Sequence, residues 1–391
     1  MKKICILTAT RAEYGLLKPI ILKLKEIHKI DVRVVATGAH LSPEFGLTYK
    51  EIERDGINID EKIEILLSAD TPSAISKSMG LAMISFGDYF EKINPDMLVV
   101  LGDRYETIAV CCAAMNQRIP ISHIYGGEVT EGVIDEAIRH AITKMSYLHF
   151  TSTDKYRNRV IQLGEEPDRV FNVGSIGVEN IKNLKLMSKN ELEQSLKITL
   201  EKPYAVVTFH PVTLENESSA KQIEELLQAI SMHNELNYIF TKSNSDMNSR
   251  VINQMIDNYV MEHTNCKSFT SLGVTKYLSA VKYSSMVIGN SSSGIVEVPT
   301  FKVPTINIGD RQKGRIQTHS IINCEPNTDS IHNAMTKAKA PEFLEIIKTV
   351  NNPYEKENTS KIICNIIVSY IENGEINIKK RFYDLSDMEL N

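Results

Sequence analysis

Residues Met97–Glu106 read Met-Leu-Val-Val-Leu-Gly-Asp-Arg-Tyr-Glu, and their reading decides the architecture of the chain. Met97–Leu101 is a short apolar run of the kind that forms a buried strand. Asn94-Pro95-Asp96 marks its start, and Gly102 permits a tight exit. A helix is predicted from Tyr105 to Asn116, and a second apolar run, Ile121–Tyr125, follows it. Strands alternating with helices in this way imply a parallel sheet covered on both faces.

The same rhythm extends in both directions. Upstream, Lys3–Ala9 and Val32–Thr37 read as strands, with a helix between them over Leu16–His28, where Leu17, Ile20, Ile21 and Leu24 share a face. Downstream, Leu148–Thr151 and Val170–Val173 complete the first half. The pattern then restarts. A polar helix over Ser188–Leu200 leads to strands at Tyr204–Phe209, Tyr238–Thr241, Met286–Ile288 and Thr305–Ile308, with helices at Ile223–Met232, Ser249–Glu262 and Val274–Val281. The expected fold class is α/β, with two Rossmann-like domains facing a central cleft. Their boundary is expected near Ser175–Met187, giving domains 1–178 and 179–353. A last helix, Tyr354–Ile371, within residues 354–391, is expected to return to the first domain. Ligands bind such sheets beyond the carboxyl ends of the strands, so informative residues belong there.

Composition narrows the functional classes. Of 391 residues, 42% are hydrophobic and 24% charged, values of an ordinary globular protein rather than a disordered, collagenous or membrane chain. Forty-four Lys and Arg against 49 Asp and Glu give a net charge of −5, which disfavours a nucleic-acid binder but leaves room for a local basic site. Six scattered cysteines without a C-x-x-C pair suit buried thiols in a reducing compartment. The apolar run after Met1-Lys2-Lys3 is too short for a signal peptide, and no stretch is long enough to span a membrane. A cytoplasmic location and no membrane partner are expected.

The unusual residues follow strands. Arg11, in Thr8-Ala9-Thr10-Arg11-Ala12-Glu13, is either a fixed charge for a phosphate or a surface arginine paired with Glu13. Asp103 is either a carboxylate at the sheet edge or the N-cap of the following helix. Gly126-Gly127-Glu128 precedes Asp135-Glu136-Ala137-Ile138-Arg139-His140, where Asp135/Arg139 and Glu136/His140 are helical neighbours. That group is either an acid–base centre or a helix with surface ion pairs. His210-Pro211 ends a strand, with a structural histidine as the alternative to a functional one. Ser291-Ser292-Ser293, between Gly289-Asn290 and Gly294, can offer donors to a phosphate, and Glu297 lies about one turn further on. Gly309-Asp310-Arg311-Gln312-Lys313-Gly314-Arg315 adds three cations beyond another strand, which favours a nucleotide diphosphate. G-x-G-x-x-G, a P-loop, G-x-S-x-G and H-E-x-x-H are all missing, so no metal site and no dinucleotide cofactor are expected.

Together, Thr10–Gly15, Gly102–Glu106, Gly126–Glu128, Arg139–Met145, His210-Pro211, Gly289–Gly294 and Gly309–Gln312 make the chain resemble the hydrolysing UDP-N-acetylglucosamine 2-epimerases of the NeuC type. The resemblance implies a glycosyltransferase-B-like fold and conversion of UDP-N-acetylglucosamine and water to N-acetylmannosamine and UDP. A 2-acetamidoglucal would be the intermediate, no cofactor would be needed, and the product would feed sialic-acid synthesis. It further implies Asp103, Asp135 and His210 as catalytic, with Arg11, Ser291, Ser292, Glu297 and Arg311 around UDP and Asn244 and Asp246 in a loop nearby. Glu128 joins the catalytic candidates, and Arg104, Glu136, Arg139, His140 and Ser293 the binding ones. Many relatives carry a catalytic Glu where this chain has Tyr125. Nucleotide-linked N,N′-diacetylbacillosamine is the alternative substrate; a glycosyltransferase and a non-catalytic UDP-sugar sensor are the other readings. A homo-oligomer, dimer or tetramer, is expected.

Overall fold

The computed structural model describes residues 1–69, 71–131, 133–212, 219–243, 249–374 and 376–385. The chain divides into two units, the first made of Met1–Glu128, Ile134–Glu179 and Tyr354–Asn391 and the second of Val129–Val133 and Asn180–Pro353. Each is built on a parallel sheet with helices on both faces.

The strands of the first sheet are β1 (Lys2–Thr8), β2 (Ile30–Thr37), β3 (Glu61–Ile63), β4 (Met97–Leu101), β5 (Ile121–Ile124), β6 (Leu148–Thr151) and β7 (Val170–Asn172). They lie in the order β3-β2-β1-β4-β5-β6-β7, so the direction of winding reverses between β1 and β4. Between them run α1 (Arg11–Lys25), α2 (Tyr49–Arg54), α3 (Pro72–Ile93), α4 (Tyr105–Asn116), α5 (Asp135–Met145), α6 (Asp154–Gln162) and α7 (Ile176–Asn183). The two-residue period of β1 decides which core each side chain joins. Ile4 and Ile6 enter a cluster with Leu17, Ile20 and Ile21 of α1, while Cys5 and Leu7 join Phe86 and Phe90 of α3 on the opposite face.

The second sheet repeats the plan with β8 (Tyr204–Thr208), β9 (Asn237–Thr241), β10 (Cys266–Phe269), β11 (Met286–Gly289), β12 (Thr305–Ile308) and β13 (Ile321–Cys324), in the order β10-β9-β8-β11-β12-β13. Its helices are α8 (Lys189–Leu196), α9 (Ser219–Ser231), α10 (Ser249–Glu262), α11 (Gly273–Tyr283), α12 (Ser292–Val296), α13 (Thr328–Ala338) and α14 (Pro341–Lys348). Ala205 and Val207 pack towards α9, and Tyr204 and Val206 towards α8 and α11. The chain then returns to the first unit as α15 (Thr359–Glu372), which buries Ile363, Cys364, Ile367 and Ile371 against α1. No helix among the described residues is long and apolar enough to cross a membrane.

Several helix boundaries differ from the periodic reading, and three have a visible local cause. The helix expected at Leu16 begins at Arg11: Thr10 accepts from the Glu13 amide, and the Glu13 carboxyl takes the Ala9 amide at 2.8 Å, close to a capping box. The helix expected over Ser188–Leu200 is Lys189–Leu196, capped by Ser188 and Glu191 and ended by Lys197 at φ 55°. The final helix begins at Thr359 rather than Tyr354, because Tyr354 turns inward to bond Tyr156 and offers its carbonyl to the Ser175 amide.

Ile367 is fully buried between α15 and α1. Ile367→Ala is expected to destabilise the first unit by about 2–5 kcal/mol through lost transfer energy and a residual cavity. Urea unfolding followed by circular dichroism measures it, and an unchanged midpoint would mean that α15 contributes little to that core.

Candidate active site

Both sheets gather polar side chains at the carboxyl ends of the strands beside their reversal points. In the first unit, β4 exits through Gly102 at φ 79°, and its carbonyl accepts from His123 Nε2 at 2.8 Å. Burial pushes the His123 imidazole down to about 3, with the Gly102 bond opposing, so the ring is neutral and Nε2 carries its proton. Thr143 Oγ lies 3.3 Å from its other nitrogen. A side chain at Gly126 would press on Thr143 Oγ at 3.0 Å, and one at Gly127, where φ is 77°, would meet the Tyr156 carbonyl at 2.4 Å. The glycine pair is therefore set by close approach, and it delivers Glu128 to a buried position where Ser152 donates to it at 2.9 Å.

Arg139 of α5 organises this end of the sheet. Only 1% exposed, it donates to the Glu128 carbonyl at 2.8 Å, to Glu136 Oε2 at 2.6 Å and to Asp103. Glu136 also bonds His140 at 3.1 Å, as their spacing predicts. These are not surface ion pairs: the central cation is buried, and its acids come from two different elements. Nor is Asp103 an N-cap. The capping position of α4 is Arg104, which makes no side-chain cap bond, and Asp103 turns to Arg139 instead. Asp135 occupies the first position of α5.

Arg104 is committed within the protein. It grips Glu106 through two bonds of 3.1 and 3.2 Å, supplying the counter-charge that fully buried carboxylate requires. Arg11 opens α1, and the Glu13 carboxyl folds back onto the Ala9 amide, its other oxygen 3.9 Å from Arg104. Burial raises the Glu13 carboxyl to about 7, with Arg104 opposing and Glu106 assisting. His40, just beyond β2, was not among the sequence candidates. It lies between Thr8 Oγ at 2.9 Å and Thr48 Oγ at 2.8 Å, and burial first, with the Arg11 charge adding to it, lowers it to about 3. Its position after a strand was the available signal.

In the second unit the hub is Asn290, fully buried at the end of β11. Its side chain accepts from the His210 amide at 2.7 Å and donates to the His210 carbonyl at 2.8 Å. Its own carbonyl accepts from Arg311 at 3.1 Å and from Gln312 at 2.9 Å. The ends of β8, β11 and β12 are thereby joined, which brings His210, Ser291 and Arg311 to one edge. Ser291 caps α12 and accepts from the Ser293 amide; the Ser293 hydroxyl accepts from Tyr277 at 2.9 Å and donates to Glu297. Burial raises the Glu297 carboxyl, against the Ser293 bond. Ser292 is the first residue of α12. Asn244 and Asp246 lie outside the described residues. The candidates thus form two groups: Arg11, Asp103, Arg104, Glu128, Asp135, Glu136, Arg139 and His140 in the first unit, and His210, Ser291, Ser292, Ser293, Glu297 and Arg311 in the second.

Comparisons place this chain among known proteins. The model of a family described as UDP-N-acetylglucosamine 2-epimerase matches residues 22–368. A GDP/UDP-N,N′-diacetylbacillosamine 2-epimerase (hydrolyzing) of Campylobacter jejuni is 47% identical over 343 residues, 88% of each chain. The polysialic acid biosynthesis protein P7 of Escherichia coli is 42% identical over 388 residues, 99% of this chain and 98% of its own. The structure of MnaA from S. aureus with UDP superposes with a TM-score of 0.80 over 99% of this chain and 100% of that one at 18% identity, which shows a common fold.

The Glu13 carboxyl provides a pH test. Its folded pKa of about 7 exceeds the ordinary 4.5, so the stability of its neutral form is complete below pH 4.5 and lost as pH rises through 7. Glu13→Gln retains an acceptor for Ala9 and removes the ionisation. Relative to wild type, it is expected to gain stability on the order of 3 kcal/mol between pH 4.5 and 8. Parallel pH–stability curves for the two proteins would show that Glu13 is not held neutral.

Proposed function

Because the chain belongs to the UDP-N-acetylglucosamine 2-epimerase family, we propose that it converts UDP-N-acetylglucosamine and water to N-acetylmannosamine and UDP for sialic-acid-type sugar synthesis. It is an enzyme of the hydrolysing 2-epimerase class, as the family model and the relative at 47% identity are named. The observation that carries the reading is the group at the ends of β4 and β5: Asp103, Glu128 and Glu136 around one buried arginine, with Asp135 at the first position of the same helix. A site that only bound an anion would gain nothing from so many acids, whereas removal and return of a proton require them.

The reaction has two stages. A carboxylate takes the C2 proton while the C1–O bond to UDP breaks, giving the 2-acetamidoglucal. Water then adds across the double bond, its hydroxyl at C1 and a proton at C2 on the opposite face. Oxidation states are balanced overall, so no redox cofactor is required. Asp103 and Asp135 are assigned the proton transfers, with Glu128 and His210 assisting. Arg139 fixes Asp103, and Glu136 and His140 complete its surroundings. Arg11, Arg311 and the Ser291–Ser293 turn are assigned to the diphosphate, whose charge grows as it leaves, and Glu297 to the ribose. Tyr125 is not assigned as the base, its phenol accepting from the Ile176 amide at 2.8 Å and bonding Ser175 Oγ at 3.1 Å.

The relative at 47% identity favours a second reading, in which the sugar is UDP- or GDP-linked N,N′-diacetylbacillosamine and the product serves legionaminic-acid synthesis. Incubation with each sugar nucleotide, with the released 2-epimer identified by NMR, decides between them.

In deuterated water the free sugar should carry deuterium at C2, and retained protium would overturn the elimination. Asp103→Asn and Asp135→Asn should each lose on the order of 10²–10⁴ in kcat while still binding UDP. Arg311→Ala should weaken UDP binding roughly ten- to a hundred-fold, and calorimetry giving wild-type affinity would remove it from the site.

A further inference from the structure

One buried charged group lies apart from these assignments, at the far end of the acid-bearing helix. Glu165, 1% exposed, receives Lys144 at 2.6 Å, His149 at 3.0 Å and Lys380 at 2.8 and 2.7 Å on its two oxygens. Burial alone would raise this carboxyl, but the His149 bond and both ammonium groups hold it down at about 2. Lys380 also donates to the carbonyls of Lys144 at 2.8 Å and Ser146 at 2.7 Å, the last turn of α5 and the residue just after it. A cation against the final carbonyls satisfies acceptors that a helix leaves open and complements its dipole.

The segment carrying Lys380 is itself docked. The Phe382 ring occupies the space over Gly164, where a Cβ would stand 2.3 Å from it, and the Lys144 ammonium lies 5.0 Å from the ring centre. The Tyr383 amide donates to the Gly164 carbonyl at 3.0 Å, and Tyr383 and Leu385 pack on Val160, Ile161 and Val170. A strap from 236 residues away in sequence thus closes on the carboxyl end of α5.

We propose that Lys380 is a positioning residue for the active site, fixing the carboxyl end of α5 and with it the placement of Asp135, Glu136, Arg139 and His140 at the other end. The proposal rests on the functional reading above for its effect on turnover, and on the geometry alone for its effect on α5. A helix of this length moves as a rigid rod, so slack at one end displaces the other, and a misplacement near 1 Å can cost on the order of a hundred-fold in rate.

The test compares Lys380→Met with Lys380→Arg, which keeps the cation. Hydrogen exchange of the α5 amides, kcat and KM with UDP-N-acetylglucosamine, and UDP affinity by calorimetry are measured on each. Lys380→Met is expected to speed exchange across residues 135–145 and to lower kcat about ten-fold. KM and UDP affinity should stay within about two-fold, because the assigned nucleotide contacts other than Arg11 lie in the second unit. Lys380→Arg should recover most of the loss. Wild-type exchange in α5, or wild-type kcat, in Lys380→Met would overturn the proposal. Should that variant not fold, Phe382→Ala, which loosens the strap and keeps the lysine, is read by the same criteria. Were the wild type to turn over neither sugar nucleotide, the functional reading would fall, and exchange in α5 would still decide the role of Lys380.

Discussion

The site in the first unit depends on the burial of one charge. A guanidinium withdrawn from water is strongly unfavourable unless acids and carbonyls meet it in good geometry. Arg139 therefore draws three parts of the chain together: the β4 exit through Asp103, the glycine loop through the Glu128 carbonyl, and its own helix through Glu136. The glycines at 126 and 127 let that carbonyl come close, and neutral His123 holds the Gly102 turn without adding a second cation. The acids are thereby kept at fixed separations, as the proposed proton transfer demands.

The second unit solves the same geometric problem with neutral groups. Asn290 presents both its donor and its acceptor to the backbone of His210 and offers its own carbonyl to two further residues. An aspartate there would lose the donor and bury a charge, so the amide is the side chain that fits. The contrast suits the division of labour proposed for the enzyme. Acids are concentrated where the proton transfers are proposed, and the donors assigned to the nucleotide are anchored by hydrogen bonds whose strength does not vary with pH.

Much of this was legible in the sequence wherever local physics decides the outcome. The strands β4, β6 and β12 and the helices α4 and α10 have the limits that their apolar runs and periodicity predict. Edge strands left weaker traces, because Glu61-Lys62-Ile63 and Cys266-Lys267-Ser268-Phe269 carry polar residues on their open side. The helix α3 had a usable signal, Thr71 capping with Pro72 at the first position. In the site, Asp103, Glu128 and the α5 acids could be found as polar residues at strand ends. The convergence across elements could not: helical spacing says nothing of Asp103, which the structure brings to Arg139 from the exit of β4. Asn290 and Lys380 act across 80 and 236 positions, distances over which no local pattern survives.

Position 125 shows what a departure from a family pattern means physically. Tyr125 sits at φ 71°, a conformation unfavourable for a bulky side chain, and its backbone amide nevertheless keeps the bond to Phe150 that continues the sheet. The phenol offsets that strain by accepting from the first amides of α7, beside the Val173 and Ser175 contacts that fasten Thr359 and Tyr354. A carboxylate in the same place would face the same amide donors, and the helix N-terminus would favour its charge. One backbone geometry therefore admits either residue, but only the carboxylate could accept a proton near neutral pH. With tyrosine present, position 125 serves the start of α7, and the proposed proton chemistry is assigned to carboxylates beside Arg139 and the glycine loop.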